Sequence, residues 1–416
     1  MMGVSKEQDD VKGGSVGQRV GISFYAFMLF GASDGALGVL LPSIIAQYAI
    51  DTATASLLFP ASALGYLIAA FTSGLLLERL GRRILLMLGA ASFLFGAALV
   101  WVTPPFFVLP LALLCIGSGE GIFDAGLNAY FAGLPRSGGL LNYLHTCYGV
   151  GALLGPLIAA SILARSWGWS TTYGAWAGGG LLALIGFALA FSRHDSSTAQ
   201  HSDGDDEGAQ GNVLLMALSL PLVWLSALFL FFYVGAEVSL GAWSYSLLTE
   251  RRHEAALISS GSVSGYWLGL TVGRLVLGWF VERIGGQRTI LACLVGAISG
   301  IVLLWVAPNA TLGALGLWLT GFSLGPIFPT TIAYIGALLP SRLQQSAIGF
   351  AASLGSVGAA FFPWMVGILA SWLGLWALLP FEIALALVML VFWLALRRSR
   401  RPEPALAPEV AAGWPH

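Results

Sequence analysis

Long apolar runs separated by short polar breaks organise the chain. They predict twelve spanning helices, at 20–48, 55–77, 84–103, 105–134, 139–166 and 169–192 in a first half, and 215–248, 256–281, 288–307, 311–338, 343–372 and 374–396 in a second. A stretch of about 20 apolar residues is what crosses the hydrocarbon core of a bilayer. One break is unlike the others: residues 193–212 (RHDSSTAQHSDGDDEGAQGN) hold five acids and almost no large apolar side chain. That composition predicts a solvated linker. The expected organisation is a first six-helix bundle with its tail (1–192), the linker (193–212), a second bundle (213–396) and a C-terminal tail (397–416).

A short charged turn occurs twice. Gly74, Glu78, Arg79, Gly81, Arg82 and Arg83 form the first copy; Gly278, Glu282, Arg283 and Gly285 form the second, with Arg288 following. The offset is 278 − 74 = 204 residues, and it also aligns Gly31 with Gly235, Gly117 with Gly321, Gly121 with Gly325 and Gly151 with Gly355. The halves therefore read as copies of one unit. Parallel repeats of this kind are a recognised transporter architecture, with the site between the halves at mid-depth. The fold class expected is an all-α membrane protein of two pseudo-symmetric six-helix bundles.

Composition agrees with this. Hydrophobic residues make up 57% and charged residues 9% of the chain, where a soluble domain carries about 25% charged. Cys115, Cys147 and Cys293 lie in apolar runs as small packing residues, with no metal-ligand spacing. The first apolar run reads as a spanning helix rather than a removed signal. With the N-terminus inside, 15 of the 19 Lys and Arg fall on the inner side. The positive-inside rule then places both termini in the cytoplasm, in the inner membrane of the cell. No nucleotide loop, metal constellation or nucleophile–base pair is visible, so no enzyme, cofactor or nucleic-acid partner is expected. The expected partners are a small solute, a coupling ion and lipid. One chain supplies both halves, and a monomer is expected.

Candidate chemistry lies in the ionisable residues within the spans, which are costly there and so usually face a cavity or a partner. They are Asp34, Glu120, Asp124, Glu237, Arg274 and Glu382. Asp34 is 14 residues into its span, about 21 Å along the helix, among Gly31, Gly35 and Gly38. Glu120 and Asp124 lie one helical turn apart, and two carboxyls that close disfavour double ionisation. This suits a group that loads and unloads a proton. Asn128 continues that face. Asn142, His145 and Gly149 share a stripe of the fifth span, beside Tyr148. Arg274 needs an acid, with Glu237 the candidate. Trp267 is the aromatic best placed to stack on a flat ligand. Glu382, early in the last span, is expected at the outer interface and outside the site.

The loop motif is similar to that of the major facilitator superfamily, approximately GxxxDRxGRR, with Glu78 and Glu282 in place of Asp. The second copy has Gly286 and Gln287 where the basic pair would be. The resemblance covers residues 20–396. Within that superfamily the chain resembles the fucose-permease group and its sugar–proton relatives. The carrying residues are Gly117, Gly119, Asp124, Asn128, Asn142, His145, Gly149 and Gly151, with YVGAE at Tyr233–Glu237 and GYWLGLTVGR at Gly265–Arg274. The resemblance implies alternating access, with Asp124 and Asn128 serving proton coupling and solute binding; Glu120 is an addition to that pattern. The residues themselves add Asp34 or Glu120 as helpers in coupling, and Asn142, His145, Tyr148, Glu237, Trp267 and Arg274 as candidates to bind the solute. The two loops then act as conformational locks. Asp34 departs from the family pattern by lying further from its following Pro42.

The expected activity is proton-coupled movement of a small polar solute, a sugar being the candidate, with sodium as the other possible ion. The alternative is an efflux antiporter. Gly151, Gly155 and Pro156 partly match the antiporter pattern GxxxGPxxGG, with Ala159 and Ala160 at its last two positions. Against efflux, the fourth span has no arginine of the kind that drug antiporters carry. A non-transporting receptor is the third reading.

Overall fold

A computed structural model describes residues 14–134, 137–192 and 207–398. Fourteen α-helices follow one another: α1 (Val16–Tyr48), α2 (Thr52–Ser56), α3 (Leu58–Trp101), α4 (Leu109–Ala132), α5 (Ser137–Ala164), α6 (Thr171–Ala190), α7 (Glu207–Leu218), α8 (Pro221–Ser246), α9 (Ala256–Ile284), α10 (Gly286–Val306), α11 (Ala310–Leu324), α12 (Ile327–Leu338), α13 (Ser341–Leu373) and α14 (Leu378–Arg398). Apolar surroundings force this regularity, because backbone polar groups in a bilayer must be satisfied within the segment.

Ten helical stretches among the described residues are long and apolar enough to cross a bilayer. One of them, Thr52–Trp101, turns back at Gly81 (φ 77, ψ 161) and crosses twice. The serine-rich α9 completes twelve crossings. Gly285 makes the equivalent turn in the second half, at φ 82 and ψ 143. Both angles lie in a region that is essentially closed to residues with a Cβ, so the repeated glycine is fixed by backbone geometry.

Three local details sharpen the expected boundaries. The span expected at 311–338 is interrupted at Gly325–Pro326, giving α11 and α12. The span expected at 215–248 begins at Pro221. The residues ahead of it form α7, which reaches back to Glu207, inside the stretch expected as linker. Residues 193–206 and the C-terminal tail lie outside the described residues.

The outer shell inverts the soluble pattern. Phe71, Leu182, Leu189 and Val391 are exposed, as suits contact with lipid tails. In the first half, α1 packs on α5, and α3 on α4 and α6; in the second, α8 packs on α13, and α9 and α10 on α11. The halves meet through α5 with α9, α1 with α8, and α13 with α2 and α3.

These meetings are tightest away from the repeated turns. Gly38 of α1 lies against the Ala242 carbonyl of α8, and Gly367 of α13 against Thr52 and Ser56. Phe59 and Trp243 close the same level, their ring centroids 6.1 Å apart. Toward the turns, Asn142 and His145 of α5 are exposed, and Gly139 and Gly349 face open space. The structure is sealed on the face opposite the turns and parted on the turn face.

Candidate functional site

Between the halves, at mid-depth, lies a cavity of about 260 Å³. Its wall carries Asp34 from α1, Glu120 from α4 and Glu237 from α8, together with Tyr66, Tyr148 and Trp267. Five residues named from the sequence therefore meet here: Asp34, Glu120, Tyr148, Glu237 and Trp267.

Each acid has its own arrangement. Asp34 is exposed to the cavity and accepts from the Tyr148 hydroxyl at 2.9 Å. Gly31 permits this: it lies directly against the Tyr148 backbone carbonyl, so α1 and α5 touch and the phenol reaches along α1. Glu120 is 3% exposed, with Ser33 of α1 beside it and Oε1 without a protein partner. Gly117 and Gly121, on either side of it, lie against the Ser62 and Tyr66 carbonyls of α3, which sets its depth.

Asp124 is a turn further toward the turn face. Its Oδ2 accepts from Tyr66 at 2.5 Å and its Oδ1 from the Asn128 amide at 2.8 Å. Two donors on two oxygens hold this carboxyl, and Tyr66 stands between it and the cavity. The Asp124–Asn128 spacing seen in the sequence is thus a direct bond. Tyr66 carries no marking in the sequence: it is one ring in an apolar run, and only the packing of α3 on α4 brings it to Asp124.

The second half is built differently. Glu237 accepts from the Tyr233 hydroxyl and pairs with Arg274 Nη2 at 3.3 Å. Arg274 Nε donates to the Gly325 carbonyl at 3.2 Å, and Tyr266 donates to the Glu237 carbonyl at 2.8 Å. The expected Arg274–Glu237 pair is present. Trp267 is buried, lines the cavity and leaves its indole Nε1 without a protein partner.

The remaining candidates lie off the cavity wall. His145 packs edge-on against Phe27, with centroids 5.5 Å apart, within electrostatic reach of both Asp124 and Arg274. It faces the parted cleft rather than the cavity. Asn142 is exposed one turn further out, away from Asn128. Glu382 departs from expectation: it is 1% exposed and its Oε1 has no protein partner, because α14 packs this turn inward against α8 instead of leaving it at the interface.

The loop motifs sit apart from the cavity. Arg83 donates to the Ala188 carbonyl at 2.7 Å and Arg82 lies over the Tyr130 ring at 5.2 Å, both within the first half. Glu78 and Arg79 are exposed. Gly74 faces open space, so the close helix approach expected at this position is absent in this conformation. Gly285 makes its turn, and Arg283 is exposed. The surroundings of Gly278 and the side chain of Glu282 lie outside the described residues.

Comparison with known proteins fits this geometry. Residues 23–265 and 254–416 match the Major Facilitator Superfamily. The chain is 28% identical over 397 residues to bypass of stop codon protein 6 of Saccharomyces cerevisiae, covering 84% of this chain and 76% of that one. It is 20% identical over 385 residues to the glucose/mannose transporter GlcP of Bacillus subtilis, covering 91% and 95%. Among solved structures, a D-xylose–proton symporter superposes with a TM-score of 0.75 at 14% identity, over 91% of this chain and 97% of that one.

Proposed function

Because the chain belongs to the Major Facilitator Superfamily, a family of membrane transporters rather than enzymes, we propose that it couples movement of a small polar solute to a proton by alternating access. A sugar is the candidate solute. Two of the proteins it is similar to are named for transport of glucose and mannose and of D-xylose, the latter with a proton. The Lys and Arg bias supports a reading with the turn face and both termini in the cytoplasm, in the cell's inner membrane. The parted cleft then faces inward.

The observation that carries this reading is the mid-depth cavity with Asp34 and Glu120 on its wall and Asp124 one phenol behind. A carboxyl in such a place can be neutral or ionised, and each form suits a different state of the transporter. Solute and proton bind between the halves; rocking of one bundle against the other exposes them to one side at a time. Asp124 carries the proton, passed through the Tyr66 hydroxyl, with Asp34 and Glu120 nearer the solute. Asn128 fixes Asp124, and His145 and Asn142 line the way in. Arg274 holds Glu237, and the first loop, with its full set of arginines, is the stronger conformational lock.

The antiporter-like glycines do not favour efflux. Gly151 and Gly155 are used up in packing, against the Met28 and Ala32 carbonyls of α1.

The test uses the full chain in proteoliposomes with labelled D-glucose. A pH gradient should drive accumulation. Asp124→Asn should abolish that accumulation while solute exchange down its own gradient persists, and Asp34→Asn should do the same. Unchanged accumulation in Asp124→Asn would remove the coupling assignment.

A further inference from the structure

The charge of the cavity is lopsided. Asp34, Glu120 and Glu237 face it, with Asp124 just behind. No basic side chain lines it among the described residues. Arg274 is turned onto Glu237 and the Gly325 carbonyl, and His145 lies toward the cleft. The two lysines of the chain are Lys6 and Lys12, ahead of the first span. The Glu237 charge is therefore matched, whereas Asp34 and Glu120 have no cation of the protein beside them.

Two unpartnered polar groups point to what fills the space. Glu120 Oε1 is buried without a donor, and Trp267 Nε1 is buried without an acceptor. One comes from each half. Once a rotation of either side chain brings its buried atom to the cavity, a solute touching both would offer an N–H or O–H to Glu120 and an oxygen to Trp267. Five aromatic rings also line the wall, Phe30, Phe59, Tyr66 and Tyr148 joining Trp267. Ring faces attract cations, most strongly where water is excluded. Uncompensated carboxyls with rings around them form a receptor for positive charge and a barrier to anions.

We propose that the cavity selects a solute bearing a protonated amine over its neutral and anionic isosteres, the ammonium lying between Asp34 and Glu120. This rests on reading the cavity as the solute site. A hydroxylated amine such as an amino sugar satisfies both orphan groups, and its volume fits a cavity of about 260 Å³.

Titration calorimetry on the purified full chain at pH 7 tests this with four probes: D-glucosamine, D-glucose, D-gluconate and choline. D-Glucosamine should bind at least about tenfold more tightly than D-glucose, with D-gluconate weaker still. A tenfold ratio corresponds to about 1.4 kcal/mol. Glu120→Gln should shrink the glucosamine advantage to about twofold. An apparent Tm close to that of the unaltered chain would show that the variant is folded, and Asp34→Asn provides an independent second variant. Choline binding without any hexose would support charge selection and overturn the sugar assignment. Equal binding of glucosamine and glucose would overturn charge selection and leave sugar transport standing. No binding of any probe would overturn both.

Discussion

Two sets of helix pairs obey the repeat differently. A methyl on Gly117 would strike the Ser62 carbonyl, and one on Gly321 the Tyr266 carbonyl; 266 − 62 is again 204. The same holds for Gly65 against Leu114 and Gly269 against Trp318, and for Gly96 against Ala112 and Gly300 against Gly316. So α3 packs on α4, and α9 and α10 on α11, contact for contact alike. The pairs α1–α5 and α8–α13 break the correspondence. Gly31 of α1 meets the Tyr148 carbonyl of α5, whereas Gly235 of α8 meets the ring of Phe362 on α13. Backbone-to-backbone packing tolerates one geometry and keeps the repeat. Where a side-chain ring replaces the backbone as the glycine's neighbour, the match is lost.

The glycines give the largest effects. Gly117→Ala and Gly321→Ala each push a methyl into a carbonyl that belongs to a helix and cannot yield. Each should cost about 3 kcal/mol, the upper end for overpacking, read as a fall in apparent Tm of the purified protein. The two falls should match, since the contacts do. Gly31→Ala should fall with them, but Gly235→Ala should cost less, about 2 kcal/mol, because its methyl meets the ring of Phe362, which is packed among Phe231, Phe232 and Phe381 but is not backbone. Matched falls at Gly31 and Gly235, or unmatched falls at Gly117 and Gly321, would break the distinction between the two sets of helix pairs.

Much of this scaffold was legible in the chain. Spacing of apolar runs marks the spans, and the 204-residue offset exposes the repeat because both turn glycines hold the same strained backbone angles. The Arg274–Glu237 pair was legible too, since an arginine in a span must find an acid. What the chain does not show is which face of a uniformly apolar helix turns inward. Helix α6, for instance, is apolar all round. That is why Tyr66, the donor to Asp124, went unmarked, and why Glu382 was expected at the interface instead of in the packing of α14.

The next effect separates the two sets of acids. Arg274→Met leaves Glu237 beside the cavity without its cation. Breaking a buried ion pair costs about 3–5 kcal/mol. Arg274 keeps 35% of its side chain exposed, so about 2 kcal/mol is expected. Adding Glu237→Gln should recover most of the loss, because the unmatched charge goes with it. Asp34→Asn should cost much less stability, because no cation pairs with Asp34 to begin with. If Asp34→Asn destabilised the protein as much as Arg274→Met, the first-half acids would be structural, and the contrast between the halves would vanish.

The smallest effect lies at matched helix starts on the sealed face. Asp51 caps α2, its Oδ1 accepting from the Thr54 N–H at 2.8 Å. The position 204 residues on is Ala255, which opens α9 with extended angles but no side chain to accept a bond. The first half thus has a cap that the second lacks. The Thr54 hydroxyl and N–H hold the Asp51 carboxyl below its usual range. Its contribution to folding is therefore full above the ordinary carboxylate value of about 4, and is lost as pH falls through the lowered one. Asp51→Ala should lower apparent Tm slightly at pH 7 and progressively less as the pH drops through that range. Ala255→Asp should do the reverse in the second half, raising stability by about 1 kcal/mol, the ordinary worth of an N-cap. The backbone there is already set for it, at φ −60 and ψ 139. A gain at Ala255 would show that the repeat reaches the helix ends in backbone form even where the side chain has changed. No gain would mean that the left-handed His253, two residues earlier at φ 55, holds that start in a shape of its own.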